Sequence, residues 1–177
     1  MKSDCVIKKV EGLFEIVNLK RFRETEGVRF DIIPNDFLKN VVGVDRVLHL
    51  KNAVSPGSIN DVERPWYMHT NQGDNLVVLY GERHVDLYST VHGKMESFVV
   101  TPEKIYMNGE LICDHPAILA WPAHVFHRVE SKEMGSASLN FAFRDEGFNV
   151  EDNFNIYDLN INTGNFNVLR KGKEDQF

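Results

Sequence analysis

Residues 66–81 read Trp66-Tyr67-Met68-His69-Thr70-Asn71-Gln72-Gly73-Asp74-Asn75-Leu76-Val77-Val78-Leu79-Tyr80-Gly81, and the rest of the chain is interpreted from them. An aromatic-rich strand runs into His69 and Asn71. A polar turn, Gln72-Gly73-Asp74, follows, and an apolar strand from Leu76 to Tyr80 ends at Gly81, so the stretch is expected to form a hairpin. Side chains two apart on a strand share a face. Tyr67, His69 and Asn71 therefore point one way, and Met68 and Thr70 the other. Histidine, asparagine and aspartate at the mouth of a hydrophobic hairpin mark a candidate site.

Further strands are expected on both sides. Gly12 to Leu19, Val28 to Ile33 and Val44 to Leu50 alternate with a period of two. The last places Val44, Arg46, Leu48 and Leu50 on one side. Lys20 to Gly27 is charged and reads as a connection, Pro34 to Asn40 as one helical turn, and Ala53 to Pro65 as a loop. After the hairpin come Arg83 to Thr90, with Val85, Leu87 and Ser89 opposed to His84, Asp86 and Tyr88, which read as a solvated face or else as pocket lining, and then Met95 to Val100. Asn108-Gly109 supplies the positive φ angles of a two-residue turn between Ile105 and Cys113. Ala117 to Trp121, Phe126 to Glu130 and Ala137 to Arg144 complete the expected strands. Asp145 to Asn167 is expected to hold a short helix and an ordered wrap, and 171–177 a frayed tail. About ten short strands with almost no helical periodicity indicate an all-β sandwich or barrel, closed as a double-sheet jelly roll.

The totals narrow the partners. A chain of 177 residues is expected to form one domain. A net charge of −6 leaves no basic footprint for a nucleic acid. The two cysteines, Cys5 and Cys113, are expected to be free thiols. With no signal peptide and no membrane span visible, the expected location is the cytoplasm.

Four side chains carry candidate chemistry: His69, Asn71, Asp74 and His127. Two imidazoles and a carboxylate suit a first-row divalent metal such as iron, manganese, nickel or zinc. Tyr67, Trp66 and Trp121 are candidates to line a pocket. Arg64, Arg83 and Arg128 are able to pair with a phosphate or carboxylate, although exposure is the ordinary fate of any one arginine. His49, His92 and His115 read as surface residues, and His124 as a rim residue.

The stretch from His69 to Ser131 resembles the cupin superfamily, which implies a double-stranded β-helix (jelly roll). The first cupin motif, G-x5-H-x-H-x3-4-E-x6-G, meets His69, Asn71 in place of the second histidine, Asp74 in place of the glutamate, and Gly81; its leading glycine is Glu63. The second, G-x5-P-x-G-x2-H-x3-N, meets Pro122 and His127, with Pro116, His124 and Ser131 at its other positions. A longer resemblance, from Val10-Glu-Gly-Leu through Asn18-Leu-Lys-Arg-Phe22 and Gly27, is to the dTDP-4-keto-6-deoxysugar 3,5-epimerases and the related 3,4-ketoisomerases. It implies a single cupin domain over 1–177, divided into N-terminal strands (1–52), a cupin core (60–144) and a C-terminal wrap and tail (145–177). It also implies a homodimer without a metal cofactor and a nucleotide-sugar ligand. His69 then serves as the acid/base, His127 lies in the pocket, and Tyr67, Asn71, Trp121 and Arg128 contact substrate.

The residues alone leave other outcomes open. A metal held by His69, Asp74 and His127 would make a cupin oxygenase or isomerase acting on a small acid. A pocket without chemistry would make a small-molecule-binding domain. Asp74, Asp86, Asp152 and Asp158 are all candidates to orient His69.

Overall fold

The structure, a computed structural model, describes residues 5–38 and 40–175. In chain order its strands are β1 (Val6–Val10), β2 (Phe14–Asn18), β3 (Lys20–Thr25), β4 (Val28–Ile32), β5 (Val41–His49) and β6 (Val54–Ser55). Then come β7 (Trp66–Met68), β8 (Gln72–Gly81), β9 (Arg83–Tyr88), β10 (Glu96–Val100), β11 (Ile105–Met107) and β12 (Glu110–Cys113). The last are β13 (Ala117–Trp121), β14 (Phe126–Glu130), β15 (Ser136–Arg144), β16 (Ile156–Leu159) and β17 (Phe166–Arg170). One α-helix, α1 (Val150–Asn153), precedes β16.

Two antiparallel sheets face each other. One has the order β1-β2-β13-β8-β15-β5; the other runs β12-β11-β10-β9-β14-β7-β16-β17, with β6 beside β14. β3 and β4 form a separate ribbon. The fold is an all-β jelly roll, as the alternation and turn spacing indicate.

Residues 66–81 do not form a hairpin. β7 pairs with β14 and β16, whereas β8 pairs with β13 and β15. The chain leaves one sheet at His69 and enters the other at Gln72, so the polar residues occupy a corner between layers. A corner and a hairpin turn share the same short polar signature, and only the pairing partners distinguish them.

Period-two alternation explains the core. Inward side chains of β8, β9 and β13 — Leu76, Val78, Val85, Leu87 and Leu119 — join Phe14 and Phe98 in one buried cluster. Phe14 and Phe98 meet edge to face, with ring centroids 4.9 Å apart. Each such side chain contributes on the order of 1.5–3 kcal/mol through burial. The central strand β13 is buried along its whole length, because its outward residues Ile118 and Ala120 are covered too. That cover includes Ile33 and Phe37, beside the 3-10 turn Asn35–Phe37.

Four local expectations need correction. Lys20 to Gly27 is not a plain connection: its charged residues form β3, fully exposed and paired with β4. The loop Ala53 to Pro65 contains the two-residue strand β6. Tyr88 is not solvated; it packs with Trp66, Met68, Phe126, Tyr157 and Leu159 where the C-terminal strands cover the outer face. The tail is ordered through a 3-10 turn, Gly172–Asp175, in which Gly172 is buried. Residues 176 and 177 lie outside the described part. The Asn108-Gly109 turn is as expected, with φ of 52° and 85°.

One crossing fixes the corner between β8 and β9. Gly81 and Gly135 have φ of +69° and +65°. A Cβ on Gly81 would lie 2.1 Å from the Gly135 carbonyl oxygen, and one on Gly135 would lie 2.5 Å from the His49 oxygen. Only glycine fits such a backbone contact.

Candidate active site

A cavity of about 360 Å³ opens between the sheets and is bordered by Leu76 and Trp121 of the apolar cluster. The size suits a small ligand. His69, at the end of β7, Asp74 on β8 and His127 on β14 converge there. Their ligand-capable atoms all lie within 4.8 Å of one another. Exposure of the three is 6%, 3% and 6%.

Hydrogen bonds set the tautomers. His69 Nδ1 lies 2.7 Å from the Asn153 carbonyl oxygen, which only accepts, so Nδ1 carries a proton. His69 Nε2 faces Asp74 Oδ2 at 3.3 Å. Burial works against charge on His69, but the charge and hydrogen bond of Asp74 and the Asn153 carbonyl outweigh it and raise its pKa. Burial opposes the charged Asp74 as well. The neighbouring His69 charge and hydrogen bond, with help from His127 and Asn140, still hold its carboxyl below the usual carboxylate range. Asp74 Oδ1 accepts from Gln72 Nε2 at 2.9 Å and Asn140 Nδ2 at 2.8 Å. Both shifts favour the imidazolium–carboxylate form of the pair.

His127 is the opposite case. Burial, and then the nearby His69 charge, lower its pKa to about 4, so the ring is neutral at neutral pH. Its Nδ1 donates to the Val125 carbonyl oxygen at 3.2 Å. That leaves the Nε2 lone pair free. The two rings are 4.8 Å apart between centroids. Trp121 packs 5.3 Å from His127, Tyr67 5.9 Å from His127, and Phe154 5.0 Å from His69.

Of the expected site residues, Tyr67, His69, Asp74, Trp121 and His127 line this cavity. Two lie elsewhere. Asn71 follows the break in the strand, where alternation no longer governs; its backbone NH bonds Asn153 Oδ1 at 3.2 Å. Arg128 is on the outer face of its sheet, over the Trp66 ring at 4.2 Å and paired with Asp86 at 2.8 Å. Because side chains alternate, Arg128 faces away from its neighbour His127. Asp74 is the carboxylate that faces His69, while Asp86 is bound to Arg128 and Ser97.

Other cavity residues escaped the reading or were placed on the surface. His49 is half-buried and lines the cavity; burial and the Arg83 charge hold its pKa near 4. Gln72 and Asn140 position Asp74. Asn153, 1% exposed, holds both His69 and the corner, and no spacing ties it to them. Arg83 is 2% exposed and lines the cavity.

The double-stranded β-helix and its buried imidazole pair define a cupin-like domain with an internal site. No family model and no curated protein matches the chain. Solved structures do. A dTDP sugar isomerase from Desulfovibrio desulfuricans is 16% identical, with a TM-score of 0.56 over 80% of this chain and 83% of that one. A dTDP-4-dehydrorhamnose 3,5-epimerase from Sulfolobus tokodaii is 18% identical, with a TM-score of 0.56 over 81% and 76%. A sugar 3,4-ketoisomerase from Thermoanaerobacterium thermosaccharolyticum, in complex with TDP, is 14% identical, with a TM-score of 0.53 over 77% and 84%. At these identities the likeness is one of fold. No helix among the described residues is long and apolar enough to cross a membrane.

Proposed function

We propose that the chain is a sugar-nucleotide epimerase or ketoisomerase in which His127 moves a proton beside a sugar ketone and His69 stabilises the charge that develops. The observation that carries this reading is the pair of buried imidazoles, 4.8 Å apart between centroids, at one cavity wall. The base role that the resemblance assigns to His69 passes to His127, because both nitrogens of His69 are engaged. His127 Nε2 takes the proton from the carbon next to the ketone, and the His69 imidazolium stabilises the resulting enolate oxygen. For inversion, a proton from solvent reaches the same carbon on the opposite face, and His127 keeps the one it removed. For isomerisation, the neighbouring hydroxyl passes its proton to the enolate oxygen and His127 delivers its own to the former carbonyl carbon, which moves the ketone by one position. The solved likenesses support the substrate class, since proteins of this fold are named for dTDP sugars.

The test is proton exchange. Incubation with a dTDP-4-keto-6-deoxyhexose in D2O should incorporate deuterium beside the ketone, read by NMR. His127→Asn should slow that exchange at least about a hundredfold. Neither exchange nor binding of the sugar nucleotide by the unmodified protein would sink the reading.

A second reading rests on the convergence of His69, Asp74 and His127. Both imidazoles have Nδ1 directed at carbonyl oxygens, which is how metal-ligating histidines are commonly oriented. The donor set fits one iron, manganese, nickel or zinc ion, which would act as a Lewis acid on a substrate oxygen. Elemental analysis of protein purified without chelator decides this: about one ion per chain supports it, and a trace amount with no thermal stabilisation on adding metal removes it.

A homodimer is proposed on the strength of one exposed apolar surface. The outward residues Val42, Val44, Leu48 and Leu79 are each more than half exposed on one sheet. An apolar sheet face of this kind favours association.

A further inference from the structure

Arg83 is a buried cation without a carboxylate. It begins β9 with its side chain in the cavity, on the same face as Val85 and Leu87. Its Nη2 donates to the Val47 carbonyl oxygen at 3.1 Å, and its Nε is fully enclosed with no partner among the described residues. A guanidinium taken out of water at 2% exposure carries a large desolvation cost unless an anion meets it.

Three carboxylates line the same cavity, and each is engaged elsewhere. Asp74 faces His69, Gln72 and Asn140. Asp175 pairs with Arg170 at 2.7 Å. Asp45 receives Asn140 Nδ2 at 3.4 Å. Two more lining groups are buried with no partner among the described residues: Trp121 Nε1, which can only donate, and the Ser138 hydroxyl. Buried polar groups are ordinarily satisfied. A cavity holding unmatched donors and an unpaired guanidinium lacks an acceptor-rich anion.

We infer that Arg83 is the anchor for an oxyanion of the ligand, a carboxylate or phosphoryl group held inside the jelly-roll cavity. The planar Nη edge of a guanidinium matches two oxygens of one group. The inference rests on the cavity being the binding site, and it does not depend on the epimerase reading. It sets the ligand's orientation: the anion lies toward the β9 and β5 wall beside Val47, and the uncharged part lies toward the two imidazoles.

The experiment measures thermal stabilisation and affinity for pyruvate, inorganic phosphate and the uncharged ketone hydroxyacetone, with sodium chloride matching ionic strength. Pyruvate or phosphate should stabilise the unmodified protein, and their difference separates the carboxylate from the phosphoryl source. Arg83→Met should lower that affinity at least tenfold and leave hydroxyacetone unaffected. It should also raise the melting temperature of the ligand-free protein, because an unpaired buried charge is replaced by a thioether of similar length. A purely structural arginine would give the reverse, a destabilised variant with unchanged anion binding. If Arg83→Met does not fold, Arg83→Lys is read instead: it keeps the charge, loses the fork, and should weaken binding several-fold. No anion-specific stabilisation of the unmodified protein, or undiminished affinity in the variants, overturns the inference. Anion binding through Arg83 without deuterium exchange on dTDP-keto sugars would overturn the epimerase reading and leave this one standing.

Discussion

The interior divides into two halves of opposite chemistry. Around β2, β10 and β11 it is apolar, with Phe14, Phe98 and Ile105 in one buried cluster. Around β5, β14 and β15 it is polar, with His49, His127, Ser138 and Asn140 on the cavity wall. The apolar half is filled by packed side chains. The polar half surrounds open space with charges that are partly satisfied and partly waiting. Continuity of the backbone lets the filled half pay for the other: a rigid sheet keeps His69, Asp74 and His127 together although their mutual burial is costly.

The sharpest way to break this contrast is one truncation in each half. Phe98→Ala should cost about 3–5 kcal/mol, since it removes a fully buried ring that meets Phe14. Ser138→Ala, at an equally buried cavity position, should change stability by less than about 1 kcal/mol, because its hydroxyl has no partner to lose. Equal losses in urea denaturation would mean that the cavity half is as tightly packed as the core.

Acid titration probes the polar half next. The folded pKa of His127 lies near 4, below its usual 6.5, so its contribution is complete above 6.5 and is lost as pH falls toward 4. The loss is on the order of 3 kcal/mol. His49, shifted in the same direction, adds to the same window. His69 has the opposite sign. Its pKa is raised, so its contribution is complete below 6.5 and fades as pH rises through the folded value. Stability should therefore peak near pH 6.5, and His127→Asn should flatten the acid side to about half its slope.

A smaller effect is expected where neutral groups support the charge. Asn140→Ala removes a donor to Asp74 and the acceptor for the Asn75 amide. It should cost about 1–3 kcal/mol. Smallest in folding energy is the open face. Val44→Asp with Leu48→Asp should leave monomer stability within about 0.5 kcal/mol per site, as for most exposed positions. Light scattering should then show the unmodified chain as a dimer and the double variant as a monomer; a monomer in both cases removes the dimer proposal.

Much of this was legible because alternation is local. Val85 with Leu87, Ile118 against Leu119, and Asn108-Gly109 each announce their own geometry. The Pro122 and His127 spacing singled out an imidazole that lies beside His69 in the structure. Arg83 sat in plain view at the head of the Val85–Leu87 face, and extending that period by one step would have turned it inward. Asn71 misled because the strand breaks after Met68, and a period cannot be carried through a break. His49 looked superficial because only its pairing opposite Ser136 puts it on the cavity wall. Asn153 was beyond reach, since its role comes from a contact 84 positions away along the chain.

The glycine crossing near this cavity has a consequence for anyone redesigning the protein. At Gly12, Gly27 and Gly93 a Cβ would meet nothing within 4 Å, so a saturation library should tolerate asparagine or aspartate there. At Gly81 and Gly135 the same library should return a single letter. The links carrying Arg83 and His49 into the interior are anchored at two positions that cannot drift, so ligand preference can be retuned around them while their backbone path stays constant.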